Sequence, residues 1–237
     1  MAFLLRFTAV AASILAAGCG GGGSDQPVSP TSSVPTTTNV SAAYTALVRS
    51  AHSYSLAGST STGISLTATL STAPGAQVTS NGTTYDTTSV TVSVFRAGVL
   101  QATGVTTAWQ DVGGTNWAWS FQTPEGSCVV RTSSVLLPTS AALDQSGPFV
   151  SGTKYAGCSP GNLPRSFWTP VGTVAQTWSY RLIGGIPFVC IDSATTGAVG
   201  TETESDCIEV VDSSGTLGTR ARVTTKDLNS VTTTLSN

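Results

Sequence analysis

Apolar and hydroxyl side chains alternate along most of this chain. Ile64, Leu66, Ala68 and Leu70 alternate with Ser65, Thr67 and Thr69. Val90, Val92 and Val94 alternate with Thr91 and Ser93, and Tyr54 and Leu56 with serines. A period of two predicts strands with one face inward and one face wet. Threonine suits the wet face because its branched Cβ favours extended backbone. One segment has a different period. Tyr44, Leu47, Val48 and Ala51 recur at helical spacing behind Ser41, which predicts one short helix from Ser41 to Ala51 with Ser41 as its N-cap. Asn81-Gly82, Ala97-Gly98, Gly184-Gly185 and Ser213-Ser214-Gly215 mark turns between strands. About ten to twelve strands follow, mostly paired with antiparallel neighbours. The expected class is all-β: an antiparallel β-sandwich or barrel-like modules with one short N-terminal helix. A break near Leu137-Pro138, followed by Asp144-Gln145-Ser146-Gly147-Pro148, separates a β module at 41–140 from 141–237. The latter is a second module or a continuation of the same sandwich.

Composition narrows the function classes. The 237 residues include 39 Thr and 32 Ser, and only 9% are Asp, Glu, Lys or Arg, against about 25% in an ordinary domain. Ten basic residues are scattered among 12 acids, without the clustering that nucleic-acid binding needs. Coiled-coil periodicity is absent. His52 is the only histidine, which disfavours multi-histidine metal sites and Ser-His-Asp chemistry. His52 is expected to be a hydrogen-bonded residue at a helix or strand end. No motif calls for a cofactor.

The N-terminus carries an address. Arg6 precedes an apolar run of eleven residues, Phe7 to Ala17, too short for the roughly 20 residues that span a bilayer and of the length of an export signal. Leu15-Ala16-Ala17-Gly18-Cys19 follows, then Gly20 to Gly23 and Ser24. This stretch resembles the lipobox of bacterial lipoproteins, with Ala16 where that family usually has Leu. The resemblance implies a signal peptide at 1–18, cleavage after Gly18, and acylation of Cys19. Gly20 in place of Asp implies outer-membrane rather than inner-membrane residence. The implied location is the bacterial cell envelope, and the implied partner is the membrane itself. Residues 19–40 form a tether, flexible where Gly and Ser dominate and stiffer at Pro27, Pro30 and Pro35. The body also resembles uncharacterised Ser/Thr-rich envelope lipoproteins, a likeness that implies no activity.

Four cysteines remain. In an exported chain Cys128, Cys158, Cys190 and Cys207 imply disulfides, with Cys128–Cys158 and Cys190–Cys207 favoured among three pairings. The second pair falls on strands expected to be neighbours; the first would tie down an irregular stretch, Gly152–Pro170. A four-cysteine metal site lacks the C-x₂-C spacing. Glu202, Glu204, Asp206 and Glu209, with Asp192 and Asp212 near in sequence, form the one acidic cluster. It is expected to be a solvated loop, with Ca²⁺ binding and paired glycosidase carboxylates as weaker readings. Trp117, Trp119 and Phe121 alternate after Trp109, and Trp178 alternates with Tyr180. Large aromatics default to core; if exposed, Trp117 and Trp119 would make a stacking platform for sugars or a protein. The leading expectation is therefore a non-enzymatic envelope lipoprotein with a structural or interaction role. The alternatives are a carbohydrate-binding module on Trp117 and Trp119, or an envelope hydrolase using Glu204 or Glu209.

Overall fold

The structure, a computed structural model, describes residues 34–80, 82–112, 117–123, 126–158 and 168–237. The signal segment, Cys19, most of the tether and Asn81 lie outside the described residues. For Trp117 and Trp119 only the backbone is described.

The helix α1 spans Val40–Arg49. Asn39 caps it, its side-chain oxygen accepting from the Ala42 amide at 2.9 Å; the expected cap, Ser41, lies inside the first turn. The helix ends at Ser50, whose backbone is extended. Val40, Ala43, Tyr44 and Val48 are buried, the spacing of one helical face. Tyr44 meets Phe149 edge-on, with ring centres 5.1 Å apart.

Two short strands, β1 (Thr37–Thr38) and β8 (Ala141–Ala142), pair with each other. Among the described residues twelve others run up and down around a closed antiparallel barrel. In chain order they are β2 (His52–Thr60), β3 (Ser65–Ser80), β4 (Thr83–Arg96), β5 (Val99–Asp111), β6 (Trp117–Thr123) and β7 (Ser127–Ser134). Then come β9 (Ser146–Ala156), β10 (Thr169–Ile183), β11 (Ile186–Gly197), β12 (Gly200–Val210), β13 (Leu217–Lys226) and β14 (Thr232–Ser236). β14 pairs back onto β2 and closes the circle. Strands on either side of residue 140 share this one sheet, because β7 pairs with β9. The stretch expected to be irregular from Gly152 is strand to Ala156, and strand resumes at Thr169.

Register carries the alternation from strand to strand. Tyr54 pairs with Leu70, Leu70 with Val92, and Leu56 with Ala68; all five side chains are buried in one core with α1. The helix therefore lies within one end of the barrel, where Thr88 donates its hydroxyl to the Val48 carbonyl at 2.6 Å. An eight-stranded barrel can be filled by its own side chains, whereas a wider one needs a plug or encloses space. α1 supplies part of that filling. Towards the opposite end the inward positions become polar: Gln122, Lys154, Gln176, Ser193 and Glu204 are all buried. Gln176 donates to the Ser193 hydroxyl at 2.9 Å, and Ser127 donates to the Gln122 carbonyl oxygen at 2.8 Å.

Tight turns join the hairpins where the sequence marks them. Ala97 and Gly98 both have positive φ, 49° and 77°, the backbone that matches the twist of two adjoining strands. Gly184 and Gly185 repeat it at 61° and 83°.

Candidate functional site

The outer wall carries both disulfides, and their pairing is the one favoured from sequence: Cys128–Cys158 and Cys190–Cys207. Cys190 and Cys207 stand directly opposite each other on β11 and β12, with Cα atoms 4.0 Å apart.

Around Cys128 lies a satellite core on the outside of the barrel. Trp109, Phe121, Val130 and Trp168 are buried in it together with both sulfurs of that bridge, and Tyr85 and Tyr155 pack at its border. Trp109 sits 5.4 Å from Phe121, and Tyr155 sits 5.9 Å from Trp168, between ring centres. Trp178 and Tyr180 are buried on the inner side with α1. These aromatics are core, as large rings usually are. The backbone of Trp119 pairs with Trp109, whereas a register shift places Trp117 opposite Gln110. That bulge offsets β6 against β5 at the tryptophans. The side chains that would form a platform at Trp117 and Trp119 lie outside the described structure.

The acidic cluster is not a solvated loop. Glu202, Glu204 and Asp206 lie on β12, and Glu204 and Asp206 are buried, 4% and 8% exposed, on its lumenal face. Glu209 belongs to the other face, where its Oε2 accepts from the amides of Thr219 and Arg220 at 3.0 and 3.1 Å beside a bulge in the β12–β13 ladder. A barrel wall therefore separates Glu204 from Glu209, and the two cannot flank one bond as glycosidase carboxylates do. Asp192 holds Arg181 with both oxygens, at 2.9 and 3.2 Å. Asp212 folds the 213–216 turn by accepting from the amides of Ser214 and Thr216. Among the described residues no three His, Cys, Asp or Glu side chains gather as a metal site would require.

His52 opens β2 and places Nε2 3.1 Å from the Ala46 carbonyl. A carbonyl only accepts, so Nε2 carries the proton in this contact. The ring lies nearly parallel to Tyr54, 13° between planes. This is the helix-end role expected from the sequence.

One cavity has chemical character. It lies between α1 and the β11–β12–β13 wall and is lined by Ala43, Tyr44, Leu47, Val189, Ile191, Asp206, Ile208 and Leu217. Its volume is ≈ 20 Å³, room for about one water molecule. Two of the lining residues carry buried polar atoms, Asp206 Oδ2 and the Tyr44 hydroxyl, without a hydrogen-bond partner among the described residues. Burial, and after it the charge of Asp192, pushes the Asp206 carboxyl well above the usual carboxylate range. Burial likewise raises the Tyr44 phenol. This setting favours the neutral form of Asp206 over the anion.

No family model, curated protein or solved structure matches the chain. The sequence led to the expectation of a solvated acidic loop, not of a strand whose acid-bearing face turns inward. The missing information was closure: a period of two defines two faces and leaves open which of them a barrel encloses.

Proposed function

We propose that this chain is a lipid-anchored protein of the bacterial cell envelope, acting through structure or interaction rather than catalysis. The orientation of the barrel wall supports the reading. A barrel that spans a bilayer turns an apolar band outward. Here apolar side chains such as Leu56, Leu70 and Val92 pack inward with α1. The residues between them, Ser55, Thr69 and Ser93, form the outer face in continuous register. A wall of that kind suits water, so attachment falls to the N-terminus, where Cys19 precedes a Gly/Ser stretch. One acyl chain binds membranes only marginally, whereas two or more hold firmly, which fits a multiply acylated cysteine. The outer membrane is the proposed station, by the resemblance of the segment around Gly20 to lipoprotein sorting signals.

Replacing Cys19 with Ala tests this reading in membrane fractions of a bacterial host. The wild-type chain should sediment with membranes, resist carbonate extraction and carry acyl mass on an N-terminal Cys19. The Cys19→Ala chain should leave the membrane fraction. Retention of that variant in carbonate-washed membranes would instead point to a barrel embedded by its own wall.

A further inference from the structure

The two disulfides differ in what surrounds their sulfurs. Burial does not separate them: Cys128, Cys158, Cys190 and Cys207 are 0%, 3%, 0% and 1% exposed. Near Cys158 Sγ stands the Tyr155 carbonyl oxygen at 3.6 Å, an electron-rich neighbour that cannot stabilise a thiolate. Cys207 Sγ has the opposite environment. Arg181 Nη2 lies 3.7 Å away and the Ser205 hydroxyl 3.4 Å away. Arg181 is fixed by Asp192, and its Nη2 also donates to Ser205 Oγ at 2.9 Å. The guanidinium is thus held over one sulfur of the pair and makes no such contact with Cys190.

We propose that Cys190–Cys207 is a thiol–disulfide exchange site, opened by a dithiol reductant in a fixed direction. The reductant's thiolate attacks Cys190 Sγ. The Cys190–Cys207 bond breaks, and its electron pair leaves on Cys207 as a thiolate facing Arg181 and Ser205. The second thiolate of the reductant then displaces Cys190, closing the reductant's own disulfide. Two electrons and two protons pass in total, and the protein ends with two thiols. Arginine beside a sulfur lowers the thiol pKa, and a thiol of lower pKa leaves faster. Arg181 and Ser205 are positioning residues in this step. Ile183, Ile186 and Phe188 cover the pair, so exchange waits on local opening of the hairpin that turns at Gly184-Gly185.

The test uses the folded, oxidised chain. Dithiothreitol is added without denaturant, exposed thiols are trapped with a maleimide at timed intervals, and the labelled peptides are mapped. Cys190 and Cys207 should be labelled about tenfold faster than Cys128 and Cys158, because a sulfur whose thiolate is stabilised by a neighbouring cation leaves faster. Arg181→Ala should remove most of that advantage and Arg181→Lys should keep most of it. With glutathione, a monothiol, the trapped mixed disulfide should sit on Cys190. Equal or reversed order of opening, an Arg181→Ala chain that opens Cys190–Cys207 at the wild-type rate, or glutathione found on Cys207 would each overturn the proposal. The adduct position is read on the wild-type chain, so it decides even where a variant folds poorly.

Discussion

The carboxyl pKa values of Asp206, within β12, and Asp212, in the turn that follows it, shift in opposite directions. Hydrogen bonds from the Ser214 and Thr216 hydroxyls, and from the Thr216 amide, lower Asp212 to about 2. Its contribution to stability is present above the ordinary carboxyl value and is lost as pH falls towards 2. Asp206 works the other way. Its folded form holds a proton that the unfolded chain releases above 3.8, so stability declines as pH rises from that value towards the raised native one. Asp206→Asn removes the proton linkage while keeping the shape. Melting temperature followed from pH 4 upwards should therefore fall less steeply in the variant than in the wild type. Parallel curves would show that the carboxyl does not titrate in this range. The cavity beneath α1 gives the effect its geometry: an anion formed there has apolar walls and space for about one water.

At the scale of elements, the barrel is unevenly sewn. β10 and β11 are joined by twelve residue pairs, whereas the closing seam between β14 and β2 has four, from Thr60–Thr233 to Ala57–Ser236. Gly58 sits in that seam opposite Leu235. A Cβ there would collide with the Thr234 carbonyl oxygen, and backbone cannot yield as a flexible side chain can. Gly58→Ala should cost at least about 1–3 kcal/mol, the usual range for overpacking, read as a lower midpoint in urea; an unchanged midpoint would show that the seam shifts freely. The sequence displayed these strands well. The Ala97-Gly98 and Gly184-Gly185 turns, the face shared by Val90, Val92 and Val94, and the Cys190–Cys207 pairing on neighbouring strands follow from spacing and turn chemistry, whereas Cys128–Cys158 forms although the stretch it is expected to tie down is strand as far as Ala156. Two things did not. The helix cap moved to Asn39, because cap geometry depends on a single residue of backbone and several candidates stand together there. The inward turn of Glu204 and Asp206 depends on which way a long sheet curls, a non-local property that alternation does not encode.

At the scale of the molecule, one sheet joins both halves of the chain. β7 pairs with β9 across the expected boundary, and β14 returns to β2. Loss of any one ladder opens the ring for all the others, so unfolding should be a single cooperative event. Tryptophan fluorescence samples Trp109 and Trp168 outside the barrel and Trp178 within it, while far-ultraviolet circular dichroism samples every strand. The two signals should give one coincident transition in urea; separated midpoints would mean that 41–140 and 141–237 melt as independent bodies. Closure between strands so distant in sequence also requires a large loop entropy to be overcome before contacts reward it, which places this topology among slow folders.

The hydroxyl pairs across the outer wall have a physical result of their own. Ser93 meets Thr103 at 3.1 Å, Thr79 meets Thr84 at 3.2 Å and Thr196 meets Thr201 at 2.9 Å, while formal net charge is only −2. With so few charges, colloidal behaviour is expected to follow hydration rather than Coulomb repulsion. Ionic screening has little to act upon, so sodium chloride should leave solubility nearly constant, and excluded cosolutes such as sulfate, which compete for water at a surface of alcohols, become the effective precipitants.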